Sequence, residues 1–148
     1  MAKPQNPHFE RDVCASFERQ AVMALMGAKL THVATGEIDI EMPFRADLTQ
    51  QHGYLHAGVV TTMIDSACGF AAFSLMPADA TVLTVEFKIN LIAPAEGHTL
   101  IARGRVVRAG RNVTVCNGEG WMRTSKGEKQ VAQMLATMMT VRERGISG

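Results

Sequence analysis

The chain has 148 residues, with 15 Lys and Arg against 14 Asp and Glu, a formal charge of +1. That length suits one domain, and so even a charge balance excludes the basic footprint on which nucleic-acid binding rests. With 47% apolar and 20% charged residues the composition is that of an ordinary globular protein, and no apolar run approaches the ~20 residues of a membrane span.

In chain order, the start from Met1 to Pro7 lacks the hydrophobic core of a signal peptide. Val13, Phe17, Ala21, Ala24 and Leu25 recur at helical spacing, predicting one covering helix over about 10–26 with Gly27 as its stop. From Ala28 to Pro43 the period changes to two. Glu37, Asp39 and Glu41 alternate with Ile38, Ile40 and Met42 after an Ala34-Thr35-Gly36 turn, which reads as a hairpin with one wet face. Residues 44–55 have no sustained period. Val60, Met63, Ile64, Ala67 and Ala71 then follow a helical stripe until Pro77, predicting a helix over about 57–74 whose small residues suit it to the middle of a fold.

Downstream, Leu83, Val85, Phe87, Ile89 and Leu91 alternate with polar residues, as expected of a half-buried strand. His98 to Val107 and Val113 to Met122 predict two more strands joined by a hairpin around Gly110. The last segment fits either period: Val131, Met134, Leu135, Met138 and Met139 suit a helix, whereas Ala132, Met134, Ala136 and Met138 suit one face of a strand. Periodicity alone favours the helix. Runs of strands with few helices give an α+β fold in one domain, 1–148.

The stretch QHGYLHAGVVTTMID, residues 51–65, enters a helix through turn residues and two histidines and ends on one carboxylate in an apolar run. Together with TVEFKINLIAPA (84–95) and RVVRAGRNV (105–113), it resembles the PaaI-type acyl-CoA thioesterases of the hotdog-fold superfamily over roughly residues 27–141. The resemblance implies a curved antiparallel sheet wrapped around the helix at 57–74, with the N-terminal helix as an addition. It also assigns 129–141 to a final strand, against the helical count.

What the resemblance implies chemically is acyl-CoA hydrolysis without a cofactor or metal. Charge developing on the thioester oxygen suits the unpaired N–H groups and dipole of a helix N-terminus, and the Ala57 amide is the candidate donor. Where the family has glycine this chain has alanine, which keeps the N–H but narrows the approach. Asp65 is the candidate general base or nucleophile. Gln50 stands where the family commonly has asparagine, and Thr84 where a serine or threonine holds the attacking water. His56 supports the helix start, Gly58 is a candidate for contact with the substrate, and Arg108 and Arg111 with Gly110 between them are candidates for binding coenzyme A through its phosphates. Asp65 lies ~12 Å along the helix from Ala57 and far around it. A two-fold dimer, alone or paired into a dimer of dimers, would instead oppose one protomer's Ala57 to the other's Asp65.

Each of these residues has a plainer reading. An isolated Asp on an apolar helix is often a solvated edge, and arginines beside a hairpin glycine are often ordinary turn residues. His52 and His56 are four apart, yet no third metal ligand accompanies them. Cys68, a turn after Asp65, reads as packing. Cys14, Cys68 and Cys116 form no CxxC pair or even set, which points to a reducing cytoplasm. A non-catalytic acyl-CoA or acyl-carrier-protein binding module is the rival function. A hotdog dehydratase would need a histidine facing an acid across the cleft, and no convincing pair appears.

Overall fold

The structure, a computed structural model, describes residues 3–142. Helix α1 (Phe9–Arg19) buries Val13 and Phe17 and carries Glu10 and Asp12 in its first turn, where acids favour the helix dipole. The single helix expected over 10–26 is in fact two. Gln20 adopts an extended conformation (φ −79°, ψ 96°), and a second helix, α2 (Ala21–Leu25), follows. The interruption resets the helical phase. Met23 and Met26 enter the core, while Ala21, Ala24 and Leu25, expected inside, are exposed. Gly27 stops α2 with φ 69°, the left-handed region that glycine enters without steric cost.

Among the described residues six strands form one antiparallel sheet: β1 (Lys29–Ala34), β2 (Glu37–Pro43), β3 (Thr81–Leu91), β4 (Thr99–Ala109), β5 (Val113–Thr124) and β6 (Gly127–Val141). Their order across the sheet is β1-β2-β4-β5-β6-β3. In β2, Ile38, Ile40 and Met42 are fully buried and their acidic neighbours are not, so period two sorts the strand as expected. The strand that the resemblance assigns to 129–141 is borne out, against the helix that periodicity alone favours over 131–139. β6 is hydrogen-bonded on both sides, to β5 and β3. Val131, Ala132, Met134, Ala136 and Met138 are buried, whereas Leu135 and Met139, which completed the helical count, lie exposed on the sheet's outer face. Two apolar faces on one strand imitate a helical repeat.

The long helix α3 (Ala57–Phe73) packs against the inner face and touches β2, β3, β4, β5 and β6. Its buried residues spread around nearly the whole circumference beyond Met63, which fits a helix that the sheet wraps. Close approach is set by paired glycines in the sheet. Gly104 and Gly118 are register partners on β4 and β5. A Cβ on Gly104 would stand 2.3 Å from the Ala67 carbonyl oxygen, and one on Gly118 would stand 2.4 Å from Ile64 Cγ2. Gly104→Ala must therefore displace helix backbone, and we expect it to lower stability by about 2–3 kcal/mol in urea unfolding. An unchanged midpoint would mean that α3 does not depend on this seat.

One edge of the sheet is apolar. Among the described residues β3 has no strand beyond it, and Leu83, Val85, Phe87 and Leu91 are 40–53% exposed along its length, with Ile92 at 55% just after.

Candidate active site

The chain enters α3 through an ordered turn. Leu55 N–H donates to the Ala95 carbonyl, and His56 N–H donates to that of Leu48. His56 is the N-cap, its Nδ1 accepting from the Gly58 N–H at 2.8 Å, so a neutral ring carries its proton on Nε2. A side chain at Gly58 would bring its Cβ to 3.0 Å from that nitrogen, which explains the glycine. With the Gly58 amide taken by the cap, the Ala57 N–H finds no acceptor among the described residues and is exposed. It borders a cavity of about 490 Å³ whose walls include Gln50, Tyr54, Val60, Leu91 and Pro94. Gln50 Oε1 accepts from the His52 N–H, which anchors the side chain at this wall.

Two turns further on, Asp65 is half-buried and accepts a hydrogen bond at Oδ1 from Thr84 Oγ1 at 2.8 Å. Thr84 Oγ1 also lies 3.3 Å from Met138 Sδ. No bond to Oδ2 occurs among the described residues, which leaves that oxygen available to water or a substrate. Burial raises the Asp65 pKa above the ordinary 3.8, with the Thr84 hydrogen bond opposing the rise. Such a carboxylate is a stronger base than a solvated one, yet remains able to ionise. It opens onto a separate cavity of about 290 Å³ shared with Gln20, Ser66, Gly69 and Thr81 to Thr84.

The sequence candidates thus fall into two half-sites within one chain. Ala57, Gln50, His56 and Gly58 gather at the N-terminus of α3, and Asp65 and Thr84 gather at its middle. Arg111 and Gly110 line a third cavity, of about 320 Å³, with Lys3 and Arg142. Arg108 is exposed on β4 and does not line it. Cys68 is fully buried and its thiol is pushed well above the usual range by that burial, as Cys116 is to about 12, so neither offers a thiolate nucleophile. Gln20 escaped the sequence reading. Its Oε1 accepts from Ser66 Oγ at 2.7 Å, beside Asp65, and no Gly or Pro marks the helix break that puts it there.

The thioesterase superfamily model matches residues 52–128 of the chain, from the loop before α3 through β5 into the start of β6. The chain belongs to the thioesterase superfamily. The crystal structure of a thioesterase family protein from Silicibacter pomeroyi is 47% identical, covers 90% of this chain and 98% of its own, and superposes with a TM-score of 0.89. The PaaI protein of the E. coli phenylacetic acid degradation operon shares the fold, with a TM-score of 0.82 at 19% identity over 93% of this chain and 96% of its own. An esterase candidate from Halobacterium salinarum is 32% identical over 99 residues, which are 64% of this chain. The match spans 65% of that relative's length. As a superfamily member the chain has the hotdog arrangement expected of it, an antiparallel sheet around one long helix, and no helix among the described residues is long and apolar enough to cross a membrane.

Proposed function

We propose that the protein is an acyl-CoA thioesterase working as a two-fold dimer. In each site Asp65 and Thr84 of one protomer face the partner subunit's Ala57 amide and the partner subunit's Gln50. The observation that carries this reading is the course of β3. Thr81 to Thr84 wall the Asp65 cavity, and Leu91 to Ala93 wall the Ala57 cavity, so one exposed strand borders both half-sites. Antiparallel pairing of two copies of β3 exchanges its ends and sets each half-site of one protomer against the complementary half of the other. The exposed Val85, Phe87, Leu91 and Ile92 supply an apolar edge that a lone monomer would leave open to aggregation.

In this site the Ala57 N–H donates a hydrogen bond to the thioester oxygen at the positive end of α3. Asp65, held by Thr84, either takes a proton from the attacking water or attacks the carbonyl carbon to give a mixed anhydride that water then opens. Thiolate leaves, and the products are a carboxylic acid and free coenzyme A. Arg111, with Lys3 and Arg142 around its cavity, offers positive charge to the coenzyme's phosphates, and Arg108 adds to the field nearby. The free state of Cys14, Cys68 and Cys116 suits a cytoplasmic setting. Exposed Val107, Val113, Leu135 and Met139 leave apolar surface for a dimer of dimers.

The test is release of free thiol from a panel of short, medium, long and aryl acyl-CoAs. Turnover of at least one class is expected. Tight binding of intact thioesters with no thiol released would favour the non-catalytic binding module instead, the reading to which the Ala57 methyl and the longer Gln50 side chain lend support.

A further inference from the structure

Thr84 reaches Asp65 only because β3 breaks its own period. The pairing of β3 with β6 shifts register between Thr84 and Glu86, so Val85 is an extra, bulged residue. Beyond the bulge, Phe87, Ile89 and Leu91 stand opposite Ala136, Met134 and Ala132, all buried on the inner face. Before it, Thr84 stands opposite Met138, which is fully buried on the same face. Strict alternation back from Phe87 would have put Thr84 outside, with Glu86 and Lys88. The bulge therefore turns one hydroxyl inward, between a carboxylate and a methionine.

That hydroxyl has one proton and two acceptors. Thr84 Oγ1 lies 2.8 Å from Asp65 Oδ1 and 3.3 Å from Met138 Sδ. With Asp65 ionised, the proton goes to the carboxylate, the stronger acceptor. With Asp65 neutral and its proton on Oδ1, the 2.8 Å contact survives only by reversing. The acid O–H then donates to Thr84 Oγ1, and the threonine proton needs another acceptor. Left unpaired in the interior, it would carry the cost of a buried unsatisfied donor. The thioether is a weak acceptor, and it stands where that proton would turn.

We propose that Met138 is a positioning residue whose sulfur makes the Thr84–Asp65 hydrogen bond reversible, so that one contact holds the acid in both of its charge states. The threonine proton stays on its oxygen throughout, and only the hydroxyl turns about Cβ–Oγ1. That Asp65 gains and loses a proton in each turnover rests on the thioesterase reading; the reversal itself does not. The surroundings leave the exchange to these three groups. Among the described residues no charged side chain besides Asp65 lines its cavity, and Ser16 and Gln20, which close it from the α1 side, do not titrate. Cys68 on α3 and Cys116 on β5 are kept protonated by burial. Glu86 of β3 accepts a hydrogen bond from Thr137, its register partner on the outer face.

The test reads the proton on Asp65 by NMR titration of the full chain labelled with carbon-13 at the aspartate carboxyls, the Asp65 signal being assigned by its loss in Asp65→Asn. Met138→Leu keeps the volume and removes the acceptor. It is expected to lower the Asp65 midpoint, because the neutral acid loses its reversed arrangement while the ionised one keeps the Thr84 proton. Thr84→Val is expected to raise the midpoint, since the ionised form loses its donor. In the Thr84→Val background, Met138→Leu is expected to change nothing, because no hydroxyl is left to turn. An unmoved or raised midpoint in Met138→Leu overturns the proposal. An equal fall in the Thr84→Val background overturns it too, since Met138 would then act by packing alone. Should Met138→Leu fail to fold, biosynthetic replacement of methionine by norleucine, which exchanges sulfur for a methylene, is read in the same two backgrounds. The titration uses no substrate. Absence of thiol release from acyl-CoAs, with these midpoints as expected, would sink the thioesterase reading and leave the reversible bond standing. Where thiol is released, the acid limb of kcat/KM should move down with the midpoint in Met138→Leu.

Discussion

Asp65→Asn should lower kcat for acyl-CoA hydrolysis by two or more orders of magnitude and, at the same time, stabilise the fold at neutral pH. The first effect follows from removing the positioned base or nucleophile, whose loss generally costs 10² to 10⁴ in rate at roughly that scale. The second follows from burial. The folded state holds a proton on Asp65 above the pH at which the unfolded chain releases it, since the folded pKa is raised from 3.8. As pH climbs through that window the ionised carboxylate weakens the fold, because more protons are bound in the native state than in the unfolded one. Asparagine never ionises. Its melting temperature should exceed the wild type's at pH 8, with the difference vanishing below about pH 3.8. Wild-type activity should fall on the acid side through a pH above the ordinary 3.8. Unchanged turnover in the variant would remove Asp65 from the mechanism, and loss of activity with loss of structure would leave only a structural part for it.

Ala57→Pro should cost about 10² to 10³ in kcat without disturbing α3, the usual toll of one oxyanion donor. Proline is well tolerated at the first position of a helix, and the residue before it must be extended. His56 already is, with φ −59° and ψ 140°. The variant therefore deletes one N–H and almost nothing else. Its greater value comes in combination. In a mixed dimer of Ala57→Pro with Asp65→Asn, one composite site carries both lesions and the other carries neither. Co-refolding equal amounts should then restore about a quarter of wild-type activity, since ~50% of randomly assembled dimers are mixed and each has one intact site. No recovery above the sum of the parents would show that the Asp65 and Ala57 serving one substrate come from the same chain, and the shared-site mechanism would fall.

The same two residues show how far sequence reaches here. Period two in β2 and the quoted entry to α3 were legible because each strand or helix sorts its own side chains by water, a local property. The cap at His56 is equally local, resting on contacts two residues apart. The last strand was not legible from period, because β6 lies inside the sheet and presents apolar residues on both faces; Leu135 and Met139 belong to an outer surface that the chain's own pattern cannot distinguish from core. Gln20 was missed for a related reason. Ordinary helix-forming neighbours give no sign of a break, and only the seat of Ser66 on α3 rewards Gln20 for leaving the helix.

The sequence by itself determined that this is an α+β chain built on one small-residue helix, and its motif placed a carboxylate two turns inside that helix. Only the tertiary structure decided that Thr84, nineteen residues away, grips Asp65, that Ala57 and Asp65 open into different cavities, and that β3 runs along both with its edge unpaired among the described residues. The physical reason is that helical and strand periods record how each segment meets water, whereas a site is made where segments distant in the chain converge, and no period along one segment records what the other brings.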